Sequence, residues 1–298
     1  MADLFPTSYF SAPSTELDPT LFDGRVIKSW VRTGITSLLT DFLGRFYRQS
    51  ETWAHAWLAG SGVSYQWSAA RQPGDLDCLV GVNYVQFRKA NPEYAGLSDT
   101  EISMHINEQF RSGLQPQTEN WNGYELTFYV NPGATDIRSI KPYAAYDLKF
   151  NEWTVTPDPT ARAPHSPDWE HVVSNDSRMA RQASTRFSAA LQEVQTSRSE
   201  ANRRNAEVRL HTALQQGAAL FEEIHGNRRL AFSSTGEGYN DFNNYRWQAG
   251  KREGTIDVLR HIKTYADNLR KGTEVSTYGA ELPSADTLIR RAATYGKK

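Results

Sequence analysis

The chain of 298 residues reads as an α/β (α+β) protein, with a mixed-sheet domain followed by a helical domain. Three observations predict this. Short apolar strands alternate with amphipathic helical stretches over the first half. A proline-rich segment, TPDPTARAPHSP, then interrupts the pattern near residue 160. Beyond it, apolar residues recur only at helical spacing. The expected domains are therefore residues 1–160 and 161–298.

The elements follow in order. SWVRTGITSLLTDFLGRFYRQS places Val31, Ile35, Leu38, Leu39, Phe42 and Phe46 at three- and four-residue intervals, which predicts a helix. TWAHAWLAG is short and aromatic-rich and reads as a strand ending in a tight Gly60-Ser61-Gly62 corner. QWSAARQPG is a loop with Pro73-Gly74 as its turn, and DLDCLVGVNYV is a strand buried on at least one face. Ser98, with Glu101 three residues later, opens LSDTEISMHINEQF as a capped helix. Asn122-Gly123 predicts a turn before the strand YELTFYV, and YAAYDLKFNEWTV predicts a strand pair. FSAALQEV, AEVRLHTALQQGAALFEEIH and IDVLRHIKTYADNL are helical. Residues 225–254, polar and rich in glycine and aromatics, read as a long connection without regular structure.

Composition narrows the classes. Charged residues are 22% and hydrophobic residues 39%, ordinary for a globular chain. Cys78 is the only cysteine, so no internal disulfide or cysteine-based zinc site forms, which fits a reducing cytoplasm. MADLFPTSYFSAPSTELDPT has neither a basic start nor a continuous apolar run, so no signal peptide is expected. No stretch approaches the roughly 20 apolar residues of a membrane helix. The net charge of −1 conceals a polarity: residues 1–176 carry 21 acids and 13 bases, and residues 177–298 carry 13 acids and 20 bases. An acidic half suits divalent metal, and a basic half suits a polyanion.

Asp75 and Asp77 stand one residue apart at the head of an apolar strand. Side chains two apart on a strand share a face, about 6.5 Å apart at the backbone. Two carboxylates among apolar neighbours are unfavourable unless a cation joins them. Magnesium prefers such oxygen donors and binds substrate phosphates at the same time, with Mn²⁺ as a substitute. Two such ions about 3.5–4 Å apart serve in-line displacement at phosphorus. The Gly60-Ser61 corner offers a backbone that phosphates can approach and a hydroxyl to bond them.

A strand, Gly-Ser, a spacer, and Asp-hydrophobic-Asp opening the next strand together resemble the signature of the DNA polymerase β-like nucleotidyltransferase superfamily. Here the matching residues are Gly60, Ser61, Asp75 and Asp77, within roughly residues 30–156. The resemblance implies a nucleotidyltransferase-like N-terminal domain in which Gly60 and Ser61 hold a nucleoside triphosphate and the paired acids hold two Mg²⁺ ions. A third acid from a later strand completes the metal site. Glu125 is preferred for it, in what reads as the more central strand, and Asp147 in YAAYDLKF is the competitor. The spacer is longer than the pattern requires and holds Tyr65, Trp67 and Arg71. The basic helical tail also resembles nucleotidyltransferase-like proteins encoded by phages of actinobacteria.

In the basic half, Arg228, Arg229, Arg246 and Lys251 are the candidate nucleotide- or acceptor-binding cations, with Arg252 beside them. Tyr245 and Trp247 are candidates to stack a base. The expected activity is Mg²⁺-dependent transfer of a nucleoside monophosphate to an acceptor hydroxyl with release of pyrophosphate. An RNA 3′ end, another nucleotide, a small molecule and a protein side chain all stay open as acceptor. The rival readings are a nucleic-acid-binding protein without catalysis and a purely structural protein. GEGYND lacks the lysine of a phosphate-binding loop. His55, His211 and His225 show no metal-ligand spacing, and no nucleophile elbow supports Ser-His-Asp chemistry.

Overall fold

The computed structural model describes residues 8–67, 74–132, 135–280 and 282–283. Arg71 and the Pro73 turn lie outside the described residues. Contacts divide the chain into two compact units, one of Ser8–Arg162 with Phe232–Tyr239 and one of Ala163–Ala231 with Asn240–Pro283.

The first unit is α/β with a mixed five-stranded sheet. A small hairpin, β1 (Phe22–Asp23) and β2 (Val26–Ile27), precedes α1 (Ser29–Phe46) and the single turn α2 (Ser50–Trp53). Strands β3 (Ala54–Ala59) and β4 (Gly74–Val82) follow, then α3 (Tyr84–Ala90), α4 (Asp99–Gln109) and α5 (Gln115–Thr118). Strands β5 (Tyr124–Tyr129), β6 (Ala145–Asp147) and β7 (Glu152–Val155) complete the sheet in the order β5-β4-β3-β6-β7. Only β4 and β5 run parallel. A parallel pair needs a long crossover, and residues 83–123 supply it with α3, α4 and α5.

Alternation along β4 separates two faces. Leu76, Cys78, Val80 and Val82 enter the main core with Leu58, Leu126, Phe128 and Tyr146, covered by Val31, Ile35, Leu39 and Phe42 of α1. The other face is covered only in part. Leu79 packs there with Trp57, Ile137 and Ile140, and Asp75 and Asp77 follow on the same side.

Several expectations meet a different structure. The strand at DLDCLVGVNYV stops at Val82, because the Asn83 side chain accepts the Gln86 N–H at 3.1 Å and starts α3. Phe46 is exposed rather than part of the buried stripe. β5, read as central, lies at an edge of the sheet. The capping box of Ser98 and Glu101 forms as written. Asn122 and Gly123 both adopt positive φ, 52° and 87°, closed by reciprocal bonds between Trp121 and Tyr124.

The second unit is helical: α6 (Pro167–Thr196), α7 (Glu200–Ala231), α8 (Phe242–Arg252) and α9 (Thr255–Tyr278). Phe187, Leu210, Leu214 and Ile262 form one core cluster, and Leu220, Ile224, Trp247, Ile256 and Leu259 another. The connection expected at 225–254 is therefore largely helix. The last turns of α7 run through Arg228 and Arg229, and Asp241 caps α8 by accepting the Asn243 N–H at 2.8 Å. α8 is buried on most of its sides, so its sequence lacks the one-sided stripe that marks a surface helix.

Arg246 of α8 ties three helices together. Its Nε and Nη2 donate to Asp176 of α6 at 2.6 and 2.8 Å, and its Nη1 donates to Glu223 of α7 at 2.8 Å. Arg246 and Asp176 are both buried. The bond to Asp176, against the opposing effect of burial, pushes the guanidinium pKa up. Removing one partner strands a buried charge, which costs about 3–5 kcal/mol. Asp176→Ala should therefore lower the stability of this unit by about that much, read by urea denaturation followed by circular dichroism. Asp176→Leu combined with Arg246→Met should recover most of the loss.

Candidate functional site

The site is built where β3 turns back onto β4. Ala59, the last residue of β3, pairs with Asp77. Gly60 follows with φ 88° and ψ −163°, a backbone region close to glycine-only. A Cβ on Gly60 would lie 2.8 Å from the Asp77 carboxylate oxygen. After the 3-10 turn Ser61–Val63 begins, a Cβ on Gly62 would lie 2.5 Å from the Asp75 carbonyl. The corner is thus seated directly on the two-aspartate strand, and both glycines are required by that approach.

Its polar groups are divided. The Gly60 N–H donates to the Ala144 carbonyl at 3.3 Å, so it is not the open donor expected of this corner. The Ser61 carbonyl accepts from the Ser64 N–H at 3.0 Å and from the Ser64 hydroxyl at 2.9 Å. Among the described residues the Ser61 hydroxyl has no hydrogen-bond partner, which keeps it available to a phosphate oxygen.

Glu125 and Asp147, the two candidates for the third acid, fall in different places. Glu125 on β5 is in register with Asp75, and Thr127 is in register with Asp77. Adjacent strands stand about 4.8 Å apart, so Glu125 projects beside Asp75 from the same sheet face. Asp75, Asp77 and Glu125 are all half-buried. Asp147 lies opposite Trp57, on the far side of β3. One of its oxygens meets His55 Nε2 at 2.6 Å, and the other accepts the N–H groups of Lys149 and Phe150 at 2.8 Å each. That carboxylate is committed to holding the β6–β7 turn.

Among the described residues no group of three or more His, Cys, Asp or Glu is placed to hold a metal ion. The three-carboxylate cage of Asp75, Asp77 and Glu125 is therefore not assembled. The two aspartates by themselves still fit the ion, which takes one or two carboxylates and completes its shell with water and phosphate oxygens. Cys78 points into the opposite core, where burial and then the Asp77 charge push its thiol up, so it is no nucleophile.

The candidate cations of the basic half belong to the helical unit. Arg228 lies over the Trp247 ring at 5.2 Å, Arg229 is exposed, and Lys251 is half-buried on α8. Arg246 is the buried tie described above and is corrected from ligand candidate to structural residue. Tyr245 and Trp247, read as base-stacking, are buried and packed on Trp169 and on His225 with Arg228. Sequence reading missed the role of Gly62, although the Gly-x-Gly spacing around Ser61 was its visible signal.

Among the described residues no helix is long and apolar enough to cross a membrane. No protein-family model, curated protein or solved structure matches the chain.

Gly60→Ala should lose about 1–3 kcal/mol from backbone strain alone, and more as Asp77 is displaced. Gly24→Ala, at φ 59° with open space around it, should lose only about 1–2 kcal/mol; urea midpoints compare them. Burial, then Arg229 and Arg228, hold the His225 pKa below the ordinary histidine value. Below that value the unfolded chain binds a proton the folded chain resists, so stability should fall as the pH drops through about 6.5. His225→Phe should flatten that fall in thermal melts taken across the range.

Proposed function

We propose that the chain is a Mg²⁺-dependent nucleotidyltransferase, moving a nucleoside monophosphate from a nucleoside triphosphate to an acceptor hydroxyl. The observation that carries this reading is the seating of the Gly60–Gly62 corner on the strand bearing Asp75 and Asp77. Glu125 stands in register beside them.

Asp75 and Asp77 hold the metal, and the Ser61 hydroxyl bonds the phosphate tail of the nucleotide. Bound magnesium supplies neutralisation of the triphosphate charge and a lowered pKa for the attacking hydroxyl. The acceptor oxygen forms a bond to the α-phosphorus as the bond from that phosphorus to the bridging oxygen of the β-phosphate breaks. Pyrophosphate leaves with that electron pair. Glu125, outside the metal pair, takes the acceptor proton. The rate gain comes chiefly from orientation and charge placement.

A second reading, a nucleic-acid-binding protein without transfer chemistry, is favoured by one observation: among the described residues no third carboxylate joins the aspartates as a metal group. One experiment separates the two. Each of the four α-labelled nucleoside triphosphates is incubated with magnesium and protein alone, with total RNA, or with small-molecule extract. Label transfer that disappears in Asp75→Ala/Asp77→Ala is expected, and its absence from every reaction would sink the catalytic reading. Glu125→Gln should lower kcat by about 10²–10⁴-fold with KM for the nucleotide little changed.

A further inference from the structure

Several cations of the helical unit are matched to carboxylates. Arg209 pairs with Glu193, Arg246 with Asp176, and Arg260 with Asp257. Three arginines of α6 differ. Arg178, Arg181 and Arg186 are exposed and line a shallow groove of about 350 Å³ together with Gln182 and Thr185. Arg178 bonds only the Asn175 amide at 2.6 Å, and Arg186 only the Gln216 amide of α7 at 3.1 Å. Among the described residues none of the three is in an ion pair.

The reason lies in the sequence of the helix. Between Ser174 and Gln192 the only carboxylate is Asp176, and it is buried beneath Arg246. The buried residues Val173, Ala180, Ala183, Phe187 and Ala190 occupy one side of α6. The arginines lie away from that side, at intervals of about 4.5 and 7.5 Å along the axis. Two of them are oriented by neutral amides, which fix a guanidinium without neutralising it.

We infer that this groove binds the phosphodiester backbone of a nucleic acid strand, and that the acceptor of the transfer reaction is such a strand. Naming the acceptor rests on the nucleotidyl-transfer reading; the binding itself does not. A row of guanidinium groups without carboxylates suits a row of phosphates, each able to take a bidentate pair of hydrogen bonds. The lining holds no aromatic side chain to stack a base, so the groove reads backbone rather than sequence. It holds no apolar side chain either, whereas a helix lying on an anionic membrane buries an apolar face beside its cations.

The test uses the full chain and a labelled single-stranded RNA of about 20 nucleotides, longer than one binding site, with anisotropy read across a salt series. The slope of log affinity against log salt should fall by about 2 in Arg178→Gln/Arg181→Gln/Arg186→Gln, the share of three phosphate contacts on a single strand. The corresponding triple lysine variant should keep most of the slope while binding more weakly, since it retains charge but loses the paired bonds. Asp75→Asn/Asp77→Asn should bind RNA like the unaltered protein, and the glutamine variant should keep its stabilisation by magnesium and nucleotide. Unchanged affinity and slope in the glutamine variant would overturn the inference. So would arginine-dependent binding to phosphatidylserine vesicles without RNA binding. RNA binding that depends on the arginines, with no label transfer, would leave the groove standing and remove only the transfer reading.

Discussion

The contact on which the placement of the sheet unit's acidic residues depends is the seating of the Gly60–Gly62 corner against the first residues of β4. Two side chains are missing from that corner, and each gap is filled by the two-aspartate strand: the Asp77 carboxylate against Gly60 and the Asp75 carbonyl against Gly62. Pairing of Ala59 with Asp77 sets the register that brings them there. A slip of one residue would turn the aspartates into the Leu76–Cys78–Val80 core, where two carboxylates could not be solvated. The apolar face of β4 therefore enforces the placement of the polar one.

The same asymmetry explains why a charged cluster is tolerated beside a strand so thoroughly buried. The face under α1 is closed by aliphatic and aromatic side chains, while the opposite face is closed only around Leu79, Trp57 and Ile140. Asp75, Asp77 and Glu125 occupy the part of that second face which stays half-exposed, so their charges keep some contact with water and with any cation that arrives. Asp147, on the same face but fully buried, meets the burden differently, through His55 and two backbone N–H groups. Carboxylates on one sheet thus serve a turn in one place and a half-buried acidic cluster in another.

The helical unit shows a parallel division among its arginines. Arg246 is buried, doubly bonded to Asp176 and held by Glu223, and its charge is spent on joining three helices. Arg178, Arg181 and Arg186 are exposed, and among the described residues no carboxylate pairs with them. Desolvation makes the first arrangement costly to break, while solvent keeps the second ready for exchange with another anion. Positive charge along the chain is therefore a poor guide to a binding surface until burial and partners are known.

Local sequence alone determined much of the first unit. Capping at Ser98, the Asn122-Gly123 turn, the helical stripe of α1 and the strand at β4 rest on contacts a few residues long, and they formed as read except that Phe46 left the stripe and β4 stopped at Val82. The Gly-Ser corner and the Asp-x-Asp strand were each legible because both spacings are short-range signals, while their direct contact is a tertiary one. Tertiary structure alone decided the rest. Strand order moved β5 from the expected centre to the edge, since order depends on the crossover through residues 83–123 and not on the strand itself. Burial on nearly all sides hid α8 from any periodicity, and pairing across 70 residues turned Arg246 from a ligand candidate into a tie. The different placements of Glu125 and Asp147 follow from register and hydrogen bonding, long-range properties that a linear sequence does not carry.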